Sequence, residues 1–326
     1  MSFVLRHSFV IRHSSFVIIF TNVIAIHASD FDLQMTLDSG QVFHWEKIGN
    51  GYVGTIGDVA VYVERAHDFL KVRFGGTPAR PPRRPLPKLI ADYFALDHPL
   101  ADICDSFPDD PMMTGARDFC RGLRIIRQAK WECLATFICS SMKQVAHIRQ
   151  ISLALRRRFG EQRTIDDRVV YTFPAPQRIA RASEKQLGQC KLGYRAKNLR
   201  ATAQLLTSGD CDLEAWSALP DTELGQKLCA LPGVGPKIAN CVMLFAYERL
   251  RAFPIDVWIE RVLREQYLAR RKKITTRQLR EFSQTYFGEH GGYAQQYLFH
   301  HARMNGRNGS APSRSSGARS SLRKTG

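Results

Sequence analysis

The sequence predicts an α+β protein, with a small N-terminal antiparallel β domain followed by a mainly helical domain. Two observations predict it. Short β-branched and aromatic runs separated by turn signals fill residues 41–74, and from Leu89 the apolar spacing turns helical and stays so to the tail. With 326 residues, 44% of them hydrophobic and 24% charged, the chain is long enough to bury a core and is globular in composition.

Residues 1–28 are set apart by a short repeat, Ser2–His7, Ser8–His13 and Ser15–Phe20, that ends in an apolar stretch reaching Ala28. A basic start before such a stretch resembles a secretory signal. The preferred alternative is a start codon assigned too far upstream, which leaves a cytoplasmic protein, nucleoid-associated if bacterial, and an atypical leader outside the fold. The β domain is expected over 29–127. Gln41–Glu46 alternates, with Phe43 and Trp45 on one face, as a half-buried strand does. Tyr52–Ile56 and Val59–Glu64 flank Gly57-Asp58, a two-residue hairpin signal, and Phe69–Phe74 continues the meander. Thr77–Pro87, with five prolines and three arginines, reads as an extended connector.

The helical domain is expected over 128–304, on apolar spacings that include Trp131–Ser141, Val145–Phe159, Ala196–Leu206, Leu224–Cys229, Ile238–Tyr247, Val257–Tyr267, Thr276–Phe287 and Tyr293–Arg303. Residues 305–326 are a Ser-, Gly- and Arg-rich basic tail too poor in apolar surface to order itself.

Lys and Arg number 47 against 30 Asp and Glu, a net charge of +17, which suits a polyanionic partner, nucleic acid before an anionic membrane. No apolar run reaches the ~18 residues that cross a bilayer. None of the eight cysteines forms a CxxC pair and none follows Cys241, which disfavours a zinc ribbon or a C-terminal iron–sulfur loop. The cysteines are also too sparse for a disulfide scaffold.

The most informative stretch is Leu231-Pro-Gly-Val-Gly-Pro-Lys, followed by Phe253-Pro-Ile-Asp. A helix runs into Gly233-Val234-Gly235, and a second opens with Pro236 at its first position, where proline forfeits no hydrogen bond. The bare turn and the helix dipole together can hold a phosphate through backbone N–H groups. This helix–hairpin–helix reads the backbone of a nucleic acid, not its sequence. Lys237 lies in the first turn after it, where the positive helix end favours the neutral amine that Schiff-base chemistry at a sugar C1′ needs. Asp256 precedes Val257-Trp-Ile-Glu and is expected both to cap that helix and to face C1′, stabilising oxocarbenium charge.

These residues, 231–256, resemble the helix–hairpin–helix, Gly/Pro…Asp superfamily of base-excision DNA glycosylases, and the lysine resembles its bifunctional members. Four further segments resemble the 8-oxoguanine DNA glycosylase family: Ser39–Trp45, Trp131–Ser141, Leu192–Lys197 and Tyr293–Phe299. The resemblance covers roughly residues 30–303. It implies a DNA glycosylase and AP lyase that flips an oxidised guanine out of duplex DNA, replaces the base with Lys237, and cuts the strand by β-elimination. The implied catalytic pair is Lys237 and Asp256, with no metal or organic cofactor.

The Gly40 carbonyl is implied to accept the N7–H of the lesion, Gln295 to read its Watson–Crick edge, and Phe299 and Cys241 to sandwich it, with Phe245 in the same pocket. Gly233, Val234 and Gly235 are implied to grip phosphate, Arg195 to read the opposite cytosine, and Lys197 to touch DNA. The chain departs from the family pattern at three implied DNA contacts. Met142 replaces an asparagine and His147 an arginine, which argues against strict preference for cytosine, and Trp258 replaces a histidine expected to touch phosphate, where an indole N–H can donate instead. A monomer acting on double-stranded DNA, away from membranes, is expected. The rivals are a related glycosylase of different lesion specificity, a non-catalytic DNA-binding module, and an exported protein whose leader is a true signal.

Overall fold

The computed structural model describes residues 17–20, 23–75, 84–141, 143–270 and 273–308. Most of the leader repeat, the centre of the proline-rich connector, Met142 and the tail beyond Asn308 lie outside the described residues.

Six strands form one antiparallel sheet, in the order Val17–Phe20, Val23–His27, Phe69–Gly75, Val59–Ala66, Gly51–Ile56 and Glu46–Ile48. The expected hairpin is present: Ile56 pairs with Val59 across Gly57-Asp58, and Gly57 has φ +56°, the left-handed backbone a two-residue turn needs. Two sequence expectations change here. Val23–His27 belongs to the sheet and not to a leader: it pairs with Phe69–Arg73, and Ile24 and Ile26 are buried in the sheet core. A short apolar run has no periodicity that separates a signal segment from a buried strand. Gln41–Trp45 is not a half-buried strand either. Pairing begins only at Glu46, and all five residues are buried because they run along the seam between two cores. Phe43 enters the helical core, while Val42 and Trp45 enter the sheet core.

The helical part is built from helices that include Lys130–Ser140, Val145–Phe159, Arg195–Ser208, Asp221–Cys229, Pro236–Ala246, Val257–Val262, Thr276–Tyr286 and Gly291–Asn308. The last helix, Gly291–Asn308, runs past the residue 304 expected. Two short helices, Leu100–Asp105 and Pro111–Phe119, lie before residue 128 but pack with this helical core. The helical run is also interrupted. Gln162–Ile165 and Arg168–Tyr171 form a hairpin whose Ile165 and Val170 pack against Val53 and Ala60 of the sheet. Among the described residues no helix is long and apolar enough to cross a membrane.

The seam is locked by a buried ion pair. Arg156 is 2% exposed and pairs with Glu132, and its Nη1 donates to Thr55 Oγ1 at 2.9 Å in the sheet. His44 packs against the pair, with Nδ1 3.6 Å from Glu132 and Nε2 2.9 Å from the Thr55 carbonyl. Burial, then the Arg156 charge, holds His44 well below the usual imidazole range. Arg156 is therefore a structural residue, its charge turned into the seam.

Removing one partner of such a pair leaves a buried charge uncompensated. Arg156→Met is expected to lower unfolding free energy by about 3–5 kcal/mol in urea titrations, and adding Glu132→Gln to recover part of it. Because the folded-state pKa of His44 lies below the unfolded one, its contribution is complete above pH ~6.5 and is lost as pH falls through the folded value. The urea midpoint should therefore drop between pH 7.5 and pH 5, and His44→Gln should flatten that drop.

Candidate active site

The hairpin is held from beneath by the helix Arg195–Ser208. Thr202 Oγ1 donates to the Pro232 carbonyl at 3.2 Å. Gly233 has φ +78°, and a Cβ there would stand 2.7 Å from the Asn198 amide, so both backbone and packing require glycine. Val234 is buried with its side chain in the helical core, which leaves only main chain to face outward at that position. Gly235 supplies the helix N-cap without a side chain, and nothing stands within 4 Å of the Cβ it lacks. The first N–H groups of Pro236–Ala246 are therefore uncapped by any side chain, an open seat for an anion.

Lys237 is half-buried one residue into that helix, and its Nζ lies 5.2 Å from the centre of the Phe137 ring. The amine also rests against the Cys241 thiol, one turn along; burial pushes that thiol up, and Lys237 opposes the shift. Asp256 caps Val257–Val262, with Oδ1 accepting the Ile259 N–H at 2.9 Å. Burial raises its carboxyl above the ordinary range, while the Ile259 N–H and the Lys237 charge pull the other way. Asn240 ties the two together: its Oδ1 accepts the Phe253 N–H at 3.2 Å, and its Nδ2 donates to the Pro236 carbonyl at 2.8 Å. The chain leading to Asp256 is thus bonded to the helix that carries Lys237.

Lys237 and Asp256 share the wall of one cavity of about 290 Å³, the lower end of the range for small-molecule sites. Its other walls include Gly40, Phe43, Phe137, Trp258 and Phe299. Gly40 is fixed from both sides. Gln41 Nε2 donates to the Arg124 carbonyl at 2.8 Å, its Oε1 accepts the Ile126 N–H at 2.7 Å, and Gln296 Nε2 donates to the Ser39 carbonyl at 3.1 Å. With φ +89°, and with Phe299 only 3.1 Å from where a Cβ would be, Gly40 is the residue this position demands.

The other anticipated residues divide. Gln295 is buried behind the wall, and its Oε1 has no hydrogen-bond partner in the protein, an acceptor left open for a donor. Cys241 and Phe245 are buried and do not line the cavity; Phe245 stacks on Phe137 at 5.6 Å and 10°, so Phe137 forms the surface that Phe245 was expected to form. His147 and Lys197 are exposed, as is Lys143 at the cavity wall.

Arg195 is turned inward. It is 5% exposed, its Nε donates to the Ser141 carbonyl at 2.8 Å, and its Nη1 donates to the Leu192 carbonyl at 3.2 Å. Its place outside is taken by Tyr194, 63% exposed, whose ring lies 4.3 Å from the guanidinium carbon. Phe43, Phe137, Tyr194 and Arg303 are site residues that sequence reasoning did not single out, although the first three fall within the quoted segments.

Comparison with known proteins places this geometry. The family described as 8-oxoguanine DNA glycosylase, N-terminal domain, matches residues 23–134, and the HhH-GPD superfamily of base excision DNA repair proteins matches residues 135–286. The chain is 30% identical to the N-glycosylase/DNA lyase OGG1 of Arabidopsis thaliana, over 83% of this chain and 77% of the relative. It is 28% identical to a probable N-glycosylase/DNA lyase of Methanothermobacter thermautotrophicus, over 86% of this chain and 96% of the relative. It also superimposes on the 8-oxoguanine glycosylase/lyase of Clostridium acetobutylicum, solved with duplex DNA carrying cytosine opposite 8-oxoguanine. That match has a TM-score of 0.82 and 28% identity, over 89% of this chain and 98% of the other.

Capping and chemistry at Asp256 separate by substitution. Asp256→Ala removes the cap and is expected to cost about 1 kcal/mol of stability in denaturant titrations, whereas Asp256→Asn, which keeps a capping oxygen, should cost less than half of that.

Proposed function

The chain belongs to the 8-oxoguanine DNA glycosylase family, and on that premise we propose that it excises oxidised guanine from duplex DNA and then cuts the strand through a Lys237 Schiff base. The observation that carries the proposal is the convergence of Lys237 and Asp256 on a single cavity that Gly40 and Phe299 also line. A non-catalytic DNA-binding module has no need of that pair.

The chemistry follows from the placement. A base inside a duplex is out of reach, so the nucleotide must swing out and enter the cavity. The hairpin N–H groups hold the strand by its phosphate, independently of sequence. Phe299 offers the base a flat face, and the Gly40 carbonyl accepts the N7–H that only the oxidised base carries. The deprotonated amine of Lys237 bonds to C1′ as the C1′–N9 bond breaks and its electron pair leaves with the base. The Asp256 carboxylate stabilises the positive charge that builds on the sugar. Ring opening gives a Schiff base that acidifies C2′; loss of a C2′ proton expels the 3′ phosphate, and the strand is cut. The working partner is duplex DNA carrying oxidised guanine, bound by a monomer, and the net charge of +17 draws the chain to the phosphates.

Borohydride is expected to trap a covalent adduct between the protein and a strand carrying 8-oxoguanine. Lys237→Gln should abolish it; an adduct that persists in that variant contradicts the lysine mechanism. Asp256→Asn should slow base release on the order of a hundredfold. Since burial raises the Asp256 pKa and only the ionised form works, release by the wild type should fall on the acid side at a pH above the ordinary carboxylate range. That limb should vanish in Asp256→Asn.

A further inference from the structure

Three side chains of the helix Gly291–Asn308 succeed one another at four-residue steps: Gln295, Phe299 and Arg303. Each step rises about 6 Å, so they share a face and span about 12 Å along it. Phe299 and Arg303 both line the cavity, with the guanidinium carbon 5.4 Å from the centre of the Phe299 ring.

Arg303 is 5% exposed and oriented by its neighbours. Its Nη2 donates to the Asp38 carbonyl and lies 3.0 Å from His300 Nδ1. Burial, then the Arg303 charge, pushes His300 down to about 4, so at neutral pH the ring is uncharged and Nδ1 can accept. The other terminal nitrogen, Nη1, points at the segment that carries the Gly40 carbonyl: it stands 2.9 Å from where a Gly40 Cβ would be. A donor-only cation thereby stands at the cavity wall with Phe299, beside the acceptor assigned to N7–H.

We propose that Arg303 recognises the C8 carbonyl oxygen of the flipped base and stabilises the negative charge that this oxygen gains as the base departs. The inference rests on the reading that oxidised guanine enters this cavity. Gln295 at one end of the helix face, Phe299 in the middle and Arg303 at the other end follow the order of a purine's Watson–Crick edge, ring face and C8 edge. O8 is next to N7, as Arg303 is next to Gly40. When the C1′–N9 bond breaks, its electron pair passes to N9 and delocalises through C8 onto O8, while Lys237 Nζ bonds to C1′. A guanidinium held against O8 meets that charge without reorganisation. Undamaged guanine offers a C–H at this position, so the cation is desolvated against a group that cannot accept. Discrimination therefore gains a second contact beside the single N7–H bond to Gly40.

The test compares Arg303→Met and Arg303→Lys with wild type in single-turnover reactions on three duplexes. One carries 8-oxoguanine; one carries 8-thioguanine, which keeps N7–H but presents a weakly accepting sulfur; one carries a preformed abasic site. Arg303→Met should slow 8-oxoguanine release about ten- to a hundredfold, the loss of a charge-assisted hydrogen bond, with a markedly smaller loss on the other two strands. Arg303→Lys should recover part of the 8-oxoguanine rate. An equal loss on all three strands marks a structural role and overturns the assignment, as does no loss on 8-oxoguanine. Wild-type protein that acts on none of the strands overturns the glycosylase reading itself, a result distinct from either.

Discussion

One amine and one carboxylate have to be kept on the same wall of a half-buried cavity, and the local architecture serves that requirement. They come from different elements: Lys237 from the first turn of Pro236–Ala246, and Asp256 from the cap of Val257–Val262. The chain between them is long enough to let them drift apart. Asn240 prevents this with one side chain, bonding backward to Pro236 and across to Phe253. The cap bond to Ile259 then fixes the rotamer of Asp256. The backbone N–H groups that Asp256 caps oppose the burial that disfavours its charge.

The opposite wall depends on the seam between the two cores. Residues 38–41 are bonded to Arg124 and Ile126 on one side and to the helix Gly291–Asn308 on the other. That helix approaches closely because Gly292 has no side chain: a Cβ there would meet Leu244 at 2.3 Å. The cavity is therefore a product of how the sheet, the hairpin helix and the last helix meet, and the Glu132–Arg156 pair that joins sheet to helices supports it at a distance. The glycines at 40, 233 and 292 mark where neighbouring atoms fill the space a Cβ would need, which is where glycine carries a packing requirement.

Much of this was legible in the chain. The hairpin with its proline at the first helical position, the lysine that follows and the aspartate before Val257 are local signals with local causes, and the strands around Gly57-Asp58 are likewise set by nearby residues. What was not legible depended on partners distant in sequence. Val23–His27 reads as part of an apolar leader until its partner strand, Phe69–Gly75, is known. The alternation in Gln41–Trp45 is real, but the segment lies between two cores that together bury all five residues, Phe43 in one and Val42 and Trp45 in the other. Arg156 and Arg195 look like exposed cations on helices, and only the carbonyls and carboxylate facing them turn them inward. Phe137 displaces Phe245 from the cavity because stacking order across two helices leaves no trace in spacing along one.

The most direct measurement is a crystal structure of the Lys237→Gln variant bound to duplex DNA containing one 8-oxoguanine. The base is expected outside the helical stack, lying on Phe299 with its N7 facing the Gly40 carbonyl, and its C1′ between residue 237 and the Asp256 carboxylate. A base that stays stacked in the duplex, or docks in any other part of the molecule, contradicts the account.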